Sequence, residues 1–147
     1  MVMNGKQHRQ EFSVNFMDFI GAGQAASQIK LLLQKVGYDP LVIRRASIAA
    51  YELEMNLVIH GGGGALSVVI KPDKIELLAE DDGPGIADLD LAMQEGYSTA
   101  PLSVREMGFG AGMGLPNVKK NTDVIEMKSE VGKGTWIKAV IFTKNEV

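Results

Sequence analysis

Between Glu11 and Phe19 the chain alternates, with Phe12, Val14 and Phe16 on one side and Ser13, Asn15 and Met17 on the other. A period of two predicts a strand. From Ala22 to Val36 the period changes: Ala25, Ile29, Leu32, Leu33 and Val36 recur at helical spacing until Gly37. Asp39-Pro40 supplies an N-cap and a first-turn proline, so a second and longer helix is expected from Leu41 to about His60. Gly61 to Gly64 ends it. Ala65–Ile70 and Lys74–Glu80 flank the turn Lys71-Pro72-Asp73 and predict a β-hairpin.

Asp81 to Gly85 reads as a loop, and Asp88 caps a short helix running to Glu95. Gly96 to Met113 has little apolar periodicity and predicts a long mobile loop of the kind that is often functional. A helix from Leu115 to Asn121 follows. Val124–Met127 and Gly134–Phe142 predict closing strands around the turn Gly132-Lys133-Gly134. The chain shows no repeat, linker or low-complexity segment. One α+β domain over 1–147 is expected, an antiparallel-rich sheet with helices on one face.

Composition narrows the chemistry. The 147 residues carry 15 Lys+Arg against 18 Asp+Glu, a formal charge of −3, which argues against nucleic-acid binding by phosphate neutralisation. Without cysteine, a disulfide scaffold, thiolate zinc and a Cys nucleophile are excluded. Two histidines, His8 and His60, make a His-rich metal site a poor expectation. No apolar run reaches the roughly 20 residues of a membrane span, and the first ten residues lack a signal-peptide core. A cytoplasmic protein is expected.

Three clusters have chemical potential. Glu52 and Asn56 are four apart and share one helix face, with His60 extending the row. A carboxylate beside a carboxamide oxygen suits water activation and a hard cation; a solvated helix face is the plainer account, and a structural role is the plainer one for His60. Glu80-Asp81-Asp82-Gly83-Pro84-Gly85-Ile86 delivers acids from a strand into a turn. A carboxylate there can accept from an exocyclic amine, and glycines let a base approach the backbone; an ordinary turn also fits. Finally, Gly108, Gly110, Gly112 and Gly114 alternate straight into a helix bearing Lys119 and Lys120, with Arg105 in the loop before it. Successive free N–H groups favour phosphate over a merely flexible loop. The spacing is neither a Walker A loop nor a G-x-G-x-x-G fingerprint.

The order of these clusters resembles the GHKL superfamily of Bergerat-fold ATPases. The N-box runs from Glu52 to Asn56, the first glycine box is Asp81-Asp82-Gly83-Pro84-Gly85, the second is Gly110-Ala111-Gly112-Met113-Gly114-Leu115, and Gly132-Lys133-Gly134-Thr135 is the final signature. Within it the chain is most similar to the single-domain anti-sigma factor and switch serine kinases. No dimerisation helix pair of the sensor-kinase type is seen. The resemblance implies a two-layer α/β sandwich with a mixed, mostly antiparallel sheet and a mobile ATP lid.

The resemblance also implies roles. Glu52 would be the general base and Asn56 the Mg²⁺ ligand. Asp81 would bind the adenine amine, with Thr135 helping through water. Gly83 and Gly85 would lie against the base. Gly110, Gly112, Gly114 and Leu115 would belong to the phosphate-covering lid, and Arg105 would reach the γ-phosphate or the partner. The implied reaction is transfer from Mg-ATP to a serine of a STAS-domain anti-anti-sigma protein, with a sigma factor as a further partner and homodimerisation possible. The alternatives are a non-catalytic nucleotide-gated binding module and an orphan histidine-kinase catalytic domain. A lid segment from Thr99 to Met107 that is longer than in the switch kinases, and the Gly61–Gly64 run, depart from the family pattern and bear on the partner rather than on ATP.

Overall fold

A computed structural model describes residues 7–16, 20–59, 63–83, 85, 93 and 114–143. The short helix expected over Asp88–Glu95 and the long loop expected over Gly96–Met113 lie outside the described residues, apart from Met93. The elements in chain order are β1 (His8–Asn15), α1 (Gln24–Val36), α2 (Pro40–Ile59), β2 (Gly63–Ile70), β3 (Lys74–Asp81), α3 (Gly114–Lys120), β4 (Val124–Glu130) and β5 (Gly134–Phe142).

The strands form one five-stranded sheet in the order β1-β2-β3-β5-β4. All four pairings are antiparallel. Strand side chains alternate between faces, so the register sorts them into cross-strand rows. Leu66, Ala79, Ile137 and Met127 form one inward row, and Val68, Leu77, Ala139 and Ile125 the next. α2 packs on the sheet, with α1 and α3 packed against α2. Ala46, Ala49, Ala50 and Leu53 on α2 have no exposed surface, and small residues there let the helix approach closely. Fully burying each Leu or Ile contributes about 1.5–3 kcal/mol, so these rows carry much of the fold's stability.

The helix signals are met. Leu41 N–H donates to Asp39 Oδ1 at 2.8 Å, the expected N-cap of α2. Gly37 N–H donates to the Leu33 carbonyl at 3.1 Å and closes α1. Strand ends differ from expectation. β1 runs from His8 to Asn15 rather than from Glu11 to Phe19, and Phe16 turns out to solvent at 55% exposure. β4 continues past Met127 to Glu130 because Ser129 and Glu130 find partners in Thr135 and Gly134.

Candidate functional site

The last inward row of the sheet is polar. Below Ala79 and Ile137 comes Asp81 opposite Thr135, and Thr135 lies opposite Ser129. An apolar strand therefore ends by setting a carboxylate at the rim of the core. Asp81 Oδ1 accepts from Gly83 N–H at 2.9 Å, an Asx-type turn, and from Thr135 N–H at 3.2 Å. These two amides fix the carboxyl in rotation. Oδ2 makes no hydrogen bond among the described residues. Burial pushes the Asp81 carboxyl above its ordinary range; the two amides oppose this, and the Asp82 charge adds to it.

Glycines bring backbone to this row. A Cβ on Gly134, at φ 117°, would collide with the Asp81 carbonyl oxygen. A Cβ on Gly85, at φ 78°, would collide with the Glu130 carbonyl oxygen. The second glycine of the Asp-x-Gly-x-Gly box thus has a packing reason beside the expected contact with a base. Asp81, Gly83, Ser129 and Thr135 lie along a cleft of about 810 Å³ that wraps around this end of the sheet to Glu80, Lys128 and Trp136 of the other face.

A second polar cluster is on α2. Leu53 and Leu57 anchor successive turns in the core, and Glu52 and Asn56, one residue before each, are half-buried. Gly114 opens α3 beside Glu52: a Cβ there would stand 3.4 Å from Glu52 Oε2. Asn117 Nδ2 donates to Glu52 Oε1 at 3.4 Å. Burial raises the Glu52 carboxyl above its usual range, with the Asn117 bond opposing it. A desolvated carboxylate of this kind is a better proton acceptor near neutral pH. Leu115 is 7% exposed within the core and anchors the start of α3. Arg105, Gly110 and Gly112, and His60 beside the N-box, lie outside the described residues.

Among the described residues no group of three or more His, Cys, Asp or Glu side chains could hold a metal ion.

The match to known families agrees with this geometry. Residues 42–145 fit the model of the histidine kinase-, DNA gyrase B- and HSP90-like ATPases. The chain belongs to this ATPase family. It is 30% identical over 127 residues to the serine/threonine-protein kinase RsbT of Bacillus subtilis, covering 84% of this chain and 87% of that protein. It is 35% identical over 92 residues to an anti-sigma F factor of Geobacillus thermodenitrificans, covering 58% of this chain and 60% of that one. An anti-sigma F factor of a Thermoanaerobacter species is 32% identical over 107 residues, covering 68% and 71%.

Within this ATPase fold, three polar side chains escaped the sequence reading. Asn117 drew no role of its own from the sequence, but reaches Glu52 across 65 positions. Ser129 lay beyond the expected end of β4. Glu54 is 2% exposed and caps a different helix: Oε2 accepts from Gly23 N–H at 2.9 Å and Ala25 N–H at 3.3 Å, and Oε1 from Ala26 N–H at 2.9 Å. It forms part of the wall of a groove of about 890 Å³ between β1 and α1, larger than the Asp81 cleft. Both Glu54 oxygens are committed to amides, so its carboxylate serves the fold rather than chemistry in that groove. The one available signal was a carboxylate on a mostly apolar helix, which must find partners.

Proposed function

We propose that this chain is an ATP-dependent protein serine kinase acting on a STAS-domain partner, the class of reaction suggested by its kinship to RsbT and the anti-sigma F factors. The observation that carries the reading is Asp81: a half-buried carboxylate with one oxygen pinned by two amides and the other accepting from none of the described residues, at the rim of a cleft. That is an acceptor for an exocyclic amine. Thr135 and Gly83 complete the base site. Glu52 takes the proton of the attacking serine hydroxyl. A bond forms from the serine oxygen to the γ-phosphorus as the bond to the β–γ bridging oxygen breaks, and ADP departs. Asn56 would hold Mg²⁺, which when bound would supply neutralisation of the phosphate charge. Such transfer depends chiefly on positioning and electrostatics, so few side chains suffice.

On this reading residues 1–147 act as one domain in the cytoplasm, and Arg105, Gly110 and Gly112 cover the phosphates. Among the described residues no helix is long and apolar enough to cross a membrane. Calorimetric titration with ATP and ADP, with and without Mg²⁺, tests the site. Incubation with labelled ATP and a STAS-domain protein tests the reaction. Saturable ATP binding and acid-stable phosphate on serine are expected. Acid-labile phosphate would instead identify a histidine-directed kinase. ATP-dependent complex formation without transfer would identify a nucleotide-gated binding module.

A further inference from the structure

Ser129 and Thr135 share the polar row that ends the sheet, and their hydroxyls are hydrogen-bonded to each other. The two hydroxyl oxygens are 2.8 Å apart, and the proton of that bond can sit on either one. A second contact favours one arrangement. Ser129 Oγ also lies 3.2 Å from the Gly134 carbonyl, which can only accept. A serine has one proton. If Ser129 gives it to Gly134, the bond between the hydroxyls is made by the Thr135 proton. Thr135 then shows lone pairs, and no proton, to the cleft it lines with Asp81. Thr135 is 7% exposed, so an unmatched polar group facing it is not relieved by bulk water.

We infer that Ser129 is a specificity-determining positioning residue that makes the base site acceptor-only. The inference rests on the nucleotide reading above. Asp81, as a carboxylate, and Thr135, with its proton turned away, both accept. Such a pair suits a base with an exocyclic amine at carbon 6. A 6-oxo purine sets a carbonyl oxygen against the same acceptors, and its N1–H can pair with only one of them. Polar sites reject ligands that lack the complementary donor far better than apolar sites reject a missing methylene. The discrimination therefore depends on Ser129, which itself need touch no nucleotide.

The probes are ATP and inosine triphosphate, which differ at position 6 and in the proton on nitrogen 1. Calorimetric affinities for both are compared in the wild type, Ser129→Ala, Ser129→Val and Ser129→Thr, each with a melting curve. Valine favours strands and serves if alanine destabilises β4. The wild type is expected to prefer ATP by roughly tenfold or more. Ser129→Ala and Ser129→Val free the Thr135 proton to turn toward a 6-oxo group. Their preference should fall to within about threefold, mostly through tighter inosine triphosphate binding. Ser129→Thr retains a hydroxyl and should restore the wild-type ratio. A general structural role would weaken both nucleotides together and leave the ratio unchanged. A wild type that discriminates, with alanine and valine variants that discriminate equally, overturns the role of Ser129 alone. A wild type that binds neither nucleotide overturns the base site and this inference with it.

Discussion

Glu76 and Asp81 sit on the same strand five residues apart and have opposite electrostatics. Glu76 is on the solvent side of the sheet, yet only 6% of its side chain is exposed. Lys71 Nζ lies 3.1 Å from one of its oxygens and Lys138 Nζ 3.2 Å from the other. Burial alone would push its carboxyl up; the hydrogen bonds and charges of the two lysines outweigh that and hold it below the ordinary range. Asp81 is on the helix side, makes no ion pair among the described residues, and is pushed up. Odd and even positions of one strand thus separate a carboxylate that stabilises the fold from one that strains it. An acid matched inside the protein has little left to offer a ligand. An acid left unmatched at a cleft is the better candidate for function.

Glu52 belongs with Asp81, and its replacement should give the largest effect. Glu52→Gln keeps shape and the Asn117 contact but removes the proton acceptor. Phosphoryl transfer should fall by about 10²–10⁴-fold, measured as label incorporated into a STAS-domain substrate, with ATP affinity little changed. Transfer at wild-type rates would remove Glu52 from the reaction. Asp81→Asn comes next. The amide oxygen of asparagine can still accept from Gly83 and Thr135, while its NH₂ faces the amine of the base as a second donor. ATP affinity should drop by about tenfold to a hundredfold by calorimetry, and the melting temperature should hold or rise. Loss of folding instead would place Asp81 with Glu76 as a structural acid and break the contrast.

Glu76→Gln should show the reverse pattern. Two lysines lose their counter-ion, and the variant should be less stable by about 1–3 kcal/mol in urea unfolding. ATP binding should be unaffected, because the residue lies on the opposite face from Asp81. Reduced affinity there would mean that the two faces are coupled through β3.

Local patterns revealed the elements, and the site only in pieces. Period two and period 3.6 located the strands and helices because one face of each is buried. Asp81 was visible as an acid delivered by an apolar strand into glycines. Its pairing with Thr135 was not, since the two are 54 positions apart and meet only through the β3–β5 register. Ser129 was hidden for the same reason: its side chain has meaning only beside Thr135. Glu54 differs again. It shares a helix with Glu52, two residues away, and nothing in their spacing tells which carboxylate caps α1 and which faces α3. Composition can announce that a buried acid needs partners; only the fold says whether they are amides, lysines or a ligand.

The smallest expected effect is a pH dependence that reads the same contrast in stability. Glu and Asp titrate near 4.3 and 3.9 when unfolded. Glu76 has a lowered folded value, so its contribution is present above the unfolded value and is lost as pH falls through the folded one. The gap in stability between wild type and Glu76→Gln should therefore be open at neutral pH and close below about pH 4. Asp81 and Glu52 have raised folded values. Their contribution is full below the unfolded values and is lost as pH rises through the folded ones. Asp81→Asn and Glu52→Gln should match the wild type in acid and gain on it as pH rises above about 4, by under about 1 kcal/mol each because water still reaches both groups. Melting temperatures at intervals from acid to neutral pH, without nucleotide, read both curves. Opposite slopes for the two classes of variant are expected. Parallel slopes would mean that the carboxylates of β3 and α2 share one environment, and the separation of structural from functional acids would fail.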